Sequence, residues 1–280
     1  MFINQINRKM KSKFTLLVAF LALSFVFVSC QSSGTKDKKV AAPDNSRIDS
    51  KKLKDEIVEM IMALPDNQET VDLINETGAA YVAGLTLEDL NTDNLLTRAA
   101  SAKAYGGVLF DLAYANTYNQ VNAFSRLMEI NGELVRKLGF ESFVEELNGY
   151  QERYVENKEN RDSVDQIVAE MLSASNEFIQ ENGSAADISL VFAGATSKSL
   201  FVISSVTLLA MNNDKLVDLM KNQGERVESA IKILEMAGED QEVKKMAESI
   251  HPVKEIYTGA GPFTIESVEK IREITSFVVQ

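Results

Sequence analysis

Five side chains between residues 103 and 118 share one face if this segment is helical, and their types suit ligand recognition. They are Lys103, Gly107, Asp111, Tyr114 and Tyr118. The spacings of 4, 4, 3 and 4 residues follow the helical period, so the side chains line up along one side. Asp111 lies within an apolar run, where burying an unpaired carboxylate would be costly. A second apolar segment carries Lys198, which we expect to neutralise Asp111.

Two interpretations of this group stay open. The first is a satisfied, buried polar network that holds the helices in register, and we favour it. The second is a pocket in which Gly107 leaves a gap and the two tyrosines line it, while the charged groups recognise a polar part of a ligand. The candidate ligand-binding residues are therefore Asp111, Tyr114, Tyr118, Lys103 and Lys198. We assign no catalytic residue.

Composition argues against several classes of site. The chain has one histidine, His251, and one cysteine, Cys30. A ferritin-like di-iron site needs Glu-x-x-His on two helices, and zinc sites are built on several His or Cys ligands. We therefore predict no metal and no cofactor. The net charge of −12 argues against binding to nucleic acid. Because acidic residues are plentiful, a carboxylate-dependent hydrolase stays open as an alternative.

The elements that must position these residues are helices. Helical periodicity, few prolines and almost no strand signals predict an all-α fold for residues 49–280. We expect a single bundle of roughly eight to ten helices around two central apolar helices, from about Asp93 to Tyr118 and from about Ala185 to Met211. Ser50 and Asp66 are predicted helix starts, and Pro252 is a predicted helix end.

The N-terminus resembles the export signal of a bacterial lipoprotein. Basic residues at 8–13 precede the apolar run Phe14 to Val28, and Ser29-Cys30 ends a segment that resembles a lipobox. We predict a signal peptide over residues 1–29, then an acylated Cys30 and a flexible tether over residues 30–48. An ordinary signal peptide with an incidental cysteine, or an uncleaved anchor, is the alternative.

The predicted location is the outer membrane, where the protein is anchored through the lipid on Cys30. Gln31 follows the cysteine, whereas an aspartate there retains many lipoproteins at the inner membrane. The tether lacks an early acidic cluster of the kind that exports some lipoproteins to the cell surface, so we expect the domain to face the periplasm.

Part of the chain resembles a family of uncharacterised helical lipoproteins of Gram-negative bacteria. The first central helix contains Asp111-Leu112-Ala113-Tyr114-Ala115, similar to the family pattern Tyr-x-x-Asp-Leu-x-Tyr-Ala. Leu190 to Gly194 is similar to the family's second segment, although Ala195 replaces its second glycine. The resemblance implies an all-helical fold and a lipid anchor, and it implies no activity.

These observations predict a lipid-anchored periplasmic protein with a non-catalytic role. Its expected partners are the membrane and either a small ligand or an envelope protein. A further expectation concerns Asp162-Ser163-Val164, which resembles a short O-glycosylation sequence and makes Ser163 a candidate modification site.

Overall fold

The structure is a computed structural model that describes the backbone of residues 45–210, 213–238 and 240–279. Within these residues the chain forms α-helices, one 3-10 turn at Thr92–Asn94 and no β-strand, which confirms the all-α prediction. The helices are α1 (Asn45–Met62), α2 (Asn67–Glu76), α3 (Arg98–Thr117), α4 (Val121–Lys137), α5 (Glu141–Asn157), α6 (Arg161–Asn182), α7 (Ala185–Leu209), α8 (Asp214–Lys221), α9 (Gly224–Met236), α10 (Gln241–Thr258) and α11 (Ile265–Val279). Cys30, the predicted signal peptide and residues 31–44 of the predicted tether lie outside the described residues, whereas residues 45–48, predicted as tether, belong to α1.

Helices α3 and α7 form the centre of the bundle, as their composition predicts. Both are buried on almost every side and share the most extensive interface between described helices. Their backbones approach closely at two glycines, because a Cβ at Gly106 would overlap the carbonyl of Val191 and one at Gly194 would overlap the carbonyl of Lys103. Small residues in these helices therefore allow the close packing of the two central helices.

The remaining helices surround this pair. Helices α2 and α4 pack on α3, and α9 and α11 pack on α7. Among the described helices, α7 alone has the length and hydropathy of a membrane span. Its most apolar 18-residue window is 94% buried inside the domain, so burial among the neighbouring helices accounts for its apolar character.

Two predicted helix starts are wrong, and one is confirmed. α1 is already helical at Asn45, five residues before the predicted start at Ser50, because extending an existing helix costs little once it is nucleated. α3 begins after Thr97, whose hydroxyl accepts the Ala100 N–H at 3.0 Å, whereas Asp93 lies in the separate 3-10 turn. Asp66 caps α2 as predicted.

The predicted helix end at Pro252 is also wrong. α10 continues through this proline to Thr258. Proline removes one hydrogen bond from a helix interior, but Ile250 and Val253 on either side of it are buried in the core. Tertiary packing therefore carries the helix across a residue that would end an isolated one.

A long irregular segment, residues 77–97, connects α2 to α3, and we refer to it as the strap. Its only regular element is the 3-10 turn. Connections of this length without secondary structure are uncommon in compact domains, so the strap needs interactions that hold it in place.

Candidate functional site

The predicted pairing of Asp111 with Lys198 is confirmed. Asp111 lies on α3 and Lys198 on α7, and the Lys198 Nζ is 3.2 Å from the Asp111 Oδ2. The side chains are 0% and 1% exposed, respectively. The close packing of the two central helices therefore brings an acid and a base, 87 positions apart in the chain, into a fully buried ion pair.

Both members of the pair also bind the backbone of the strap. Asp111 Oδ2 accepts the Leu87 N–H at 2.7 Å, and the Lys198 ammonium donates to the Leu85 carbonyl. The predicted gap at Gly107 is filled from the same direction, because a Cβ there would lie 3.0 Å from the Leu87 side chain. The groups that suggested a pocket therefore contact the chain itself.

The two tyrosines bind the first half of the strap. The Tyr114 hydroxyl accepts the Val82 N–H at 3.1 Å, and the Tyr118 hydroxyl donates to the Ala79 carbonyl at 3.0 Å. The Tyr81 ring stacks on Tyr114 with centroids 5.1 Å apart. Burial raises the pKa of Tyr114 above its ordinary value, so it stays a neutral phenol. Asp111, Tyr114, Tyr118 and Lys198 thus form one network, which we call the strap anchor.

The strap anchor contains one unsatisfied acceptor. Asp111 Oδ1 is buried, and no described residue donates a hydrogen bond to it. Burial raises the pKa of Asp111 from 3.8 to about 6, although Lys198 and the Leu87 N–H favour the charged form. The buried site therefore favours the protonated form of Asp111 more than bulk water does.

Lys103, the remaining predicted site residue, lies away from the strap anchor. Its side chain lines a different groove of about 430 Å³, together with Glu242, Lys245 and Met246 of α10. Burial lowers the pKa of its ammonium. Lys103 lies on α3, as the helical spacing predicts. Its side chain lies beside α10 and α11, however, and not beside the strap.

A second site, which the sequence reasoning missed, surrounds Arg226 of α9. A cavity of about 490 Å³ lies between α6, α7 and the α1–α2 connection, and Arg226 lines it. The residue is only 5% exposed. Most of the cavity wall is apolar, and includes Leu64, Leu172 and Phe192. We call this space the Arg226 cavity.

The guanidinium of Arg226 binds uncharged groups. It donates to the Pro65 carbonyl at 2.6 Å, the Thr196 hydroxyl at 3.3 Å and the Thr70 hydroxyl at 3.4 Å, and to the Asn67 Oδ1 at 3.5 Å. It also lies 5.3 Å from the centroid of the Phe192 ring. Within the described part of the chain, no carboxylate lies within 4.0 Å of it.

Burial lowers the pKa of Arg226 to about 10, while the charge of Asp66 acts in the opposite direction. The guanidinium remains charged at neutral pH, since this pKa lies well above 7. A signal for this site was present in the sequence: Arg226, Ala230 and Leu234 are spaced four residues apart, which places the arginine on the buried face of α9. A charged residue at a position that helical spacing assigns to the buried face can therefore be recognised from the sequence as a candidate site.

Two other predicted positions can be located. Ser163 lies in the first turn of α6, where its backbone N–H donates to the Asn160 Oδ1 at 3.2 Å; its modification stays a prediction. His251 lies exposed within α10, 3.6 Å from Glu255. Among the described residues, no group of three or more His, Cys, Asp or Glu side chains is arranged to hold a metal ion.

No protein-family model, curated protein or solved structure matches this chain. The resemblance to the helical lipoprotein family therefore stays a prediction.

Proposed function

We propose that the chain is a lipid-anchored protein of the outer membrane that binds a small, largely apolar ligand in the Arg226 cavity without altering it. The observation that carries this proposal is a buried arginine, in a mostly apolar cavity, that forms no ion pair with any described residue. A volume of about 490 Å³ lies within the range of small-molecule sites. The anchor and the periplasmic location rest on Cys30 and the segment before it.

The strap anchor is assigned a different role in this proposal. Its hydrogen bonds and its ion pair are made with Ala79, Val82, Leu85 and Leu87 of the strap and within the network itself. We therefore assign the strap anchor to holding the irregular connection on the bundle.

The proposal does not extend to hydrolysis. Asp66 and Glu69 are two acids that line the cavity, and they form a reciprocal capping box at the start of α2. Each carboxylate accepts a backbone N–H of the other residue, at 2.8 and 3.0 Å. This arrangement explains both acids as helix caps.

The binding role can be tested by native mass spectrometry of the mature chain purified from its own host. We expect a lipid mass that survives denaturation and a second, smaller mass that denaturation releases. Ala169→Trp should abolish only the second mass, because Ala169 lines the cavity from an exposed position. Gln166→Trp is the control, since Gln166 is exposed on the same helix but does not line the cavity. Equal spectra for all three proteins, without a released mass, would contradict the proposal.

The anchor has its own test. Cys30→Ser should release the protein from the membrane fraction or leave an uncleaved precursor. Normal processing and membrane retention of this variant would exclude lipidation at Cys30.

A further inference from the structure

The charge of Arg226 is not neutralised by any side chain that the structure describes within ion-pair distance. Elsewhere in the domain, the buried Lys198 faces Asp111 at 3.2 Å. A charge taken out of water without a counter-charge is unfavourable, and arginine does not readily lose its proton. Arg226 therefore retains a charge that a ligand entering the cavity can neutralise.

The guanidinium has a donor available for such a ligand. Its Nη1 and Nε groups donate to the Pro65 carbonyl and to the hydroxyls of Thr70 and Thr196. The Nη2 group carries two N–H donors, and its contact with the Asn67 Oδ1 is 3.5 Å long. A carboxylate oxygen near Nη2 would gain a charge-assisted hydrogen bond, which is stronger than the contact it replaces.

The surroundings select the charge of the ligand. Three carboxylates, those of Asp66, Glu69 and Glu177, line the cavity from exposed positions. A dianion such as a phosphate monoester would meet one cation, Arg226, and these three carboxylates, of which Asp66 lies between Pro65 and Asn67, both of which bind the guanidinium. Once Arg226 is neutralised, a dianion keeps one negative charge that the three carboxylates repel, whereas a single carboxylate keeps none. A neutral ligand would leave the guanidinium charge uncompensated.

The walls select the rest of the ligand. Leu64, Leu172, Ile188, Val191 and Phe192 line the same cavity as Arg226 and supply apolar surface. A small inorganic anion would bury none of this surface, whereas a short hydrocarbon body would bury it and exclude water from the ion pair.

We propose that the ligand is a monocarboxylate with an apolar body, whose carboxylate pairs with Arg226 while its hydrocarbon fills the cavity. This inference rests on the proposed binding function and specifies its ligand class.

To test this proposal, the full mature chain in a non-ionic detergent is titrated with octanoate, octanol, octyl phosphate and acetate. Complexes are counted by native mass spectrometry. We expect octanoate to bind about tenfold more tightly than octanol or octyl phosphate, and acetate not to bind. Arg226→Gln should abolish the preference for octanoate over octanol. Arg226→Lys keeps the charge and should keep the preference for octanoate, which provides a second variant if the glutamine variant does not fold.

The outcomes separate the two proposals. One outcome is that octanol binds as tightly as octanoate, that Arg226→Gln does not change this binding, and that Ala169→Trp abolishes it. This outcome would overturn the carboxylate inference while supporting the cavity as a binding site. Tighter binding of octyl phosphate would overturn the preference for a monoanion. Failure of all the octyl probes to bind would overturn the carboxylate inference, and the absence of a released native ligand would in addition contradict the proposed function.

Discussion

Two buried cations, Lys198 in the strap anchor and Arg226 in its cavity, have different surroundings. Each donates to the carbonyl of an irregular connection, Lys198 to Leu85 and Arg226 to Pro65. Lys198 also has a carboxylate at 3.2 Å, whereas no described carboxylate lies within 4.0 Å of Arg226, and Asp66 acts on its pKa from further away. A cation with its own carboxylate is closed to ligands, and one without a counter-charge beside a cavity remains open to them.

The residue types fit these two roles. A lysine ammonium is compact and strongly hydrated, so its burial calls for a strong partner. A guanidinium spreads its charge over a plane, is more weakly hydrated and can stack on an aromatic ring, as Arg226 does on Phe192. Arginine is therefore the cation that a protein can leave partly unpaired in a binding site.

The largest expected effect is that of Lys198→Met. The variant removes the counter-charge of the buried Asp111, which must then take up a proton to stay buried, and we expect it to lower the free energy of unfolding by about 3–5 kcal/mol at pH 7. Lys215→Met is the control, since Lys215 is exposed on α8 and should change stability by less than about 0.5 kcal/mol. Urea denaturation measures both. Equal stability of the two variants would show that the pair does not hold the strap.

The same variant should change the dependence of stability on pH. Burial raises the pKa of Asp111 to about 6 in the native chain, and loss of Lys198 removes an influence that lowers it. Between pH 6 and 8 the folded variant then holds a proton that the unfolded chain, with a pKa near 3.8, has lost. Its stability should therefore fall by up to about 1.4 kcal/mol per pH unit relative to the wild type as the pH rises.

Denaturation of both proteins at half-unit intervals from pH 4 to 8 tests this prediction. The stability gap should be smallest below pH 6 and widen above it. A gap that stays constant across this range would mean that Asp111 does not take up a proton when Lys198 is absent.

Tyr114→Phe tests the anchoring of the strap more locally. It removes the acceptor of the Val82 N–H, and leaving a partly buried donor unsatisfied should cost about 1–3 kcal/mol. Faster hydrogen exchange at the Val82 amide is the specific readout. Tyr150→Phe, on a half-buried tyrosine of α5, should leave that amide unchanged. If hydrogen exchange at the Val82 amide is unaltered in both variants, Tyr114 does not anchor the strap.

The smallest effect is expected for Arg226→Met in the ligand-free protein. Hydrogen bonds to Pro65, Thr70 and Thr196 are lost, but no described carboxylate is stranded and a buried charge is removed. We expect a change of about 1 kcal/mol or less, because these contributions oppose each other. A loss as large as that of Lys198→Met would show that Arg226 is a structural cation and would erase the distinction between the two sites.

The sequence determined the helical class, the two central helices and the pairing of Asp111 with Lys198. These features follow from local rules: apolar periodicity identifies buried helices, and a charge within an apolar run requires a partner. Lys103 shows the limit of such rules, because spacing along α3 says which side chains share a face but not which helix covers each turn.

Tertiary structure alone decided the course of the strap, the continuation of α10 through Pro252 and the Arg226 cavity. Each depends on contacts between segments far apart in the chain: Tyr114 with Val82, and Arg226 with Pro65, 161 positions away. A cavity has no local sequence pattern, because it is the space left where side chains of several helices fail to meet. A sequence can reveal that Arg226 lies on a buried face, but only the packing of α6, α7 and the α1–α2 connection shows that this face opens onto a cavity.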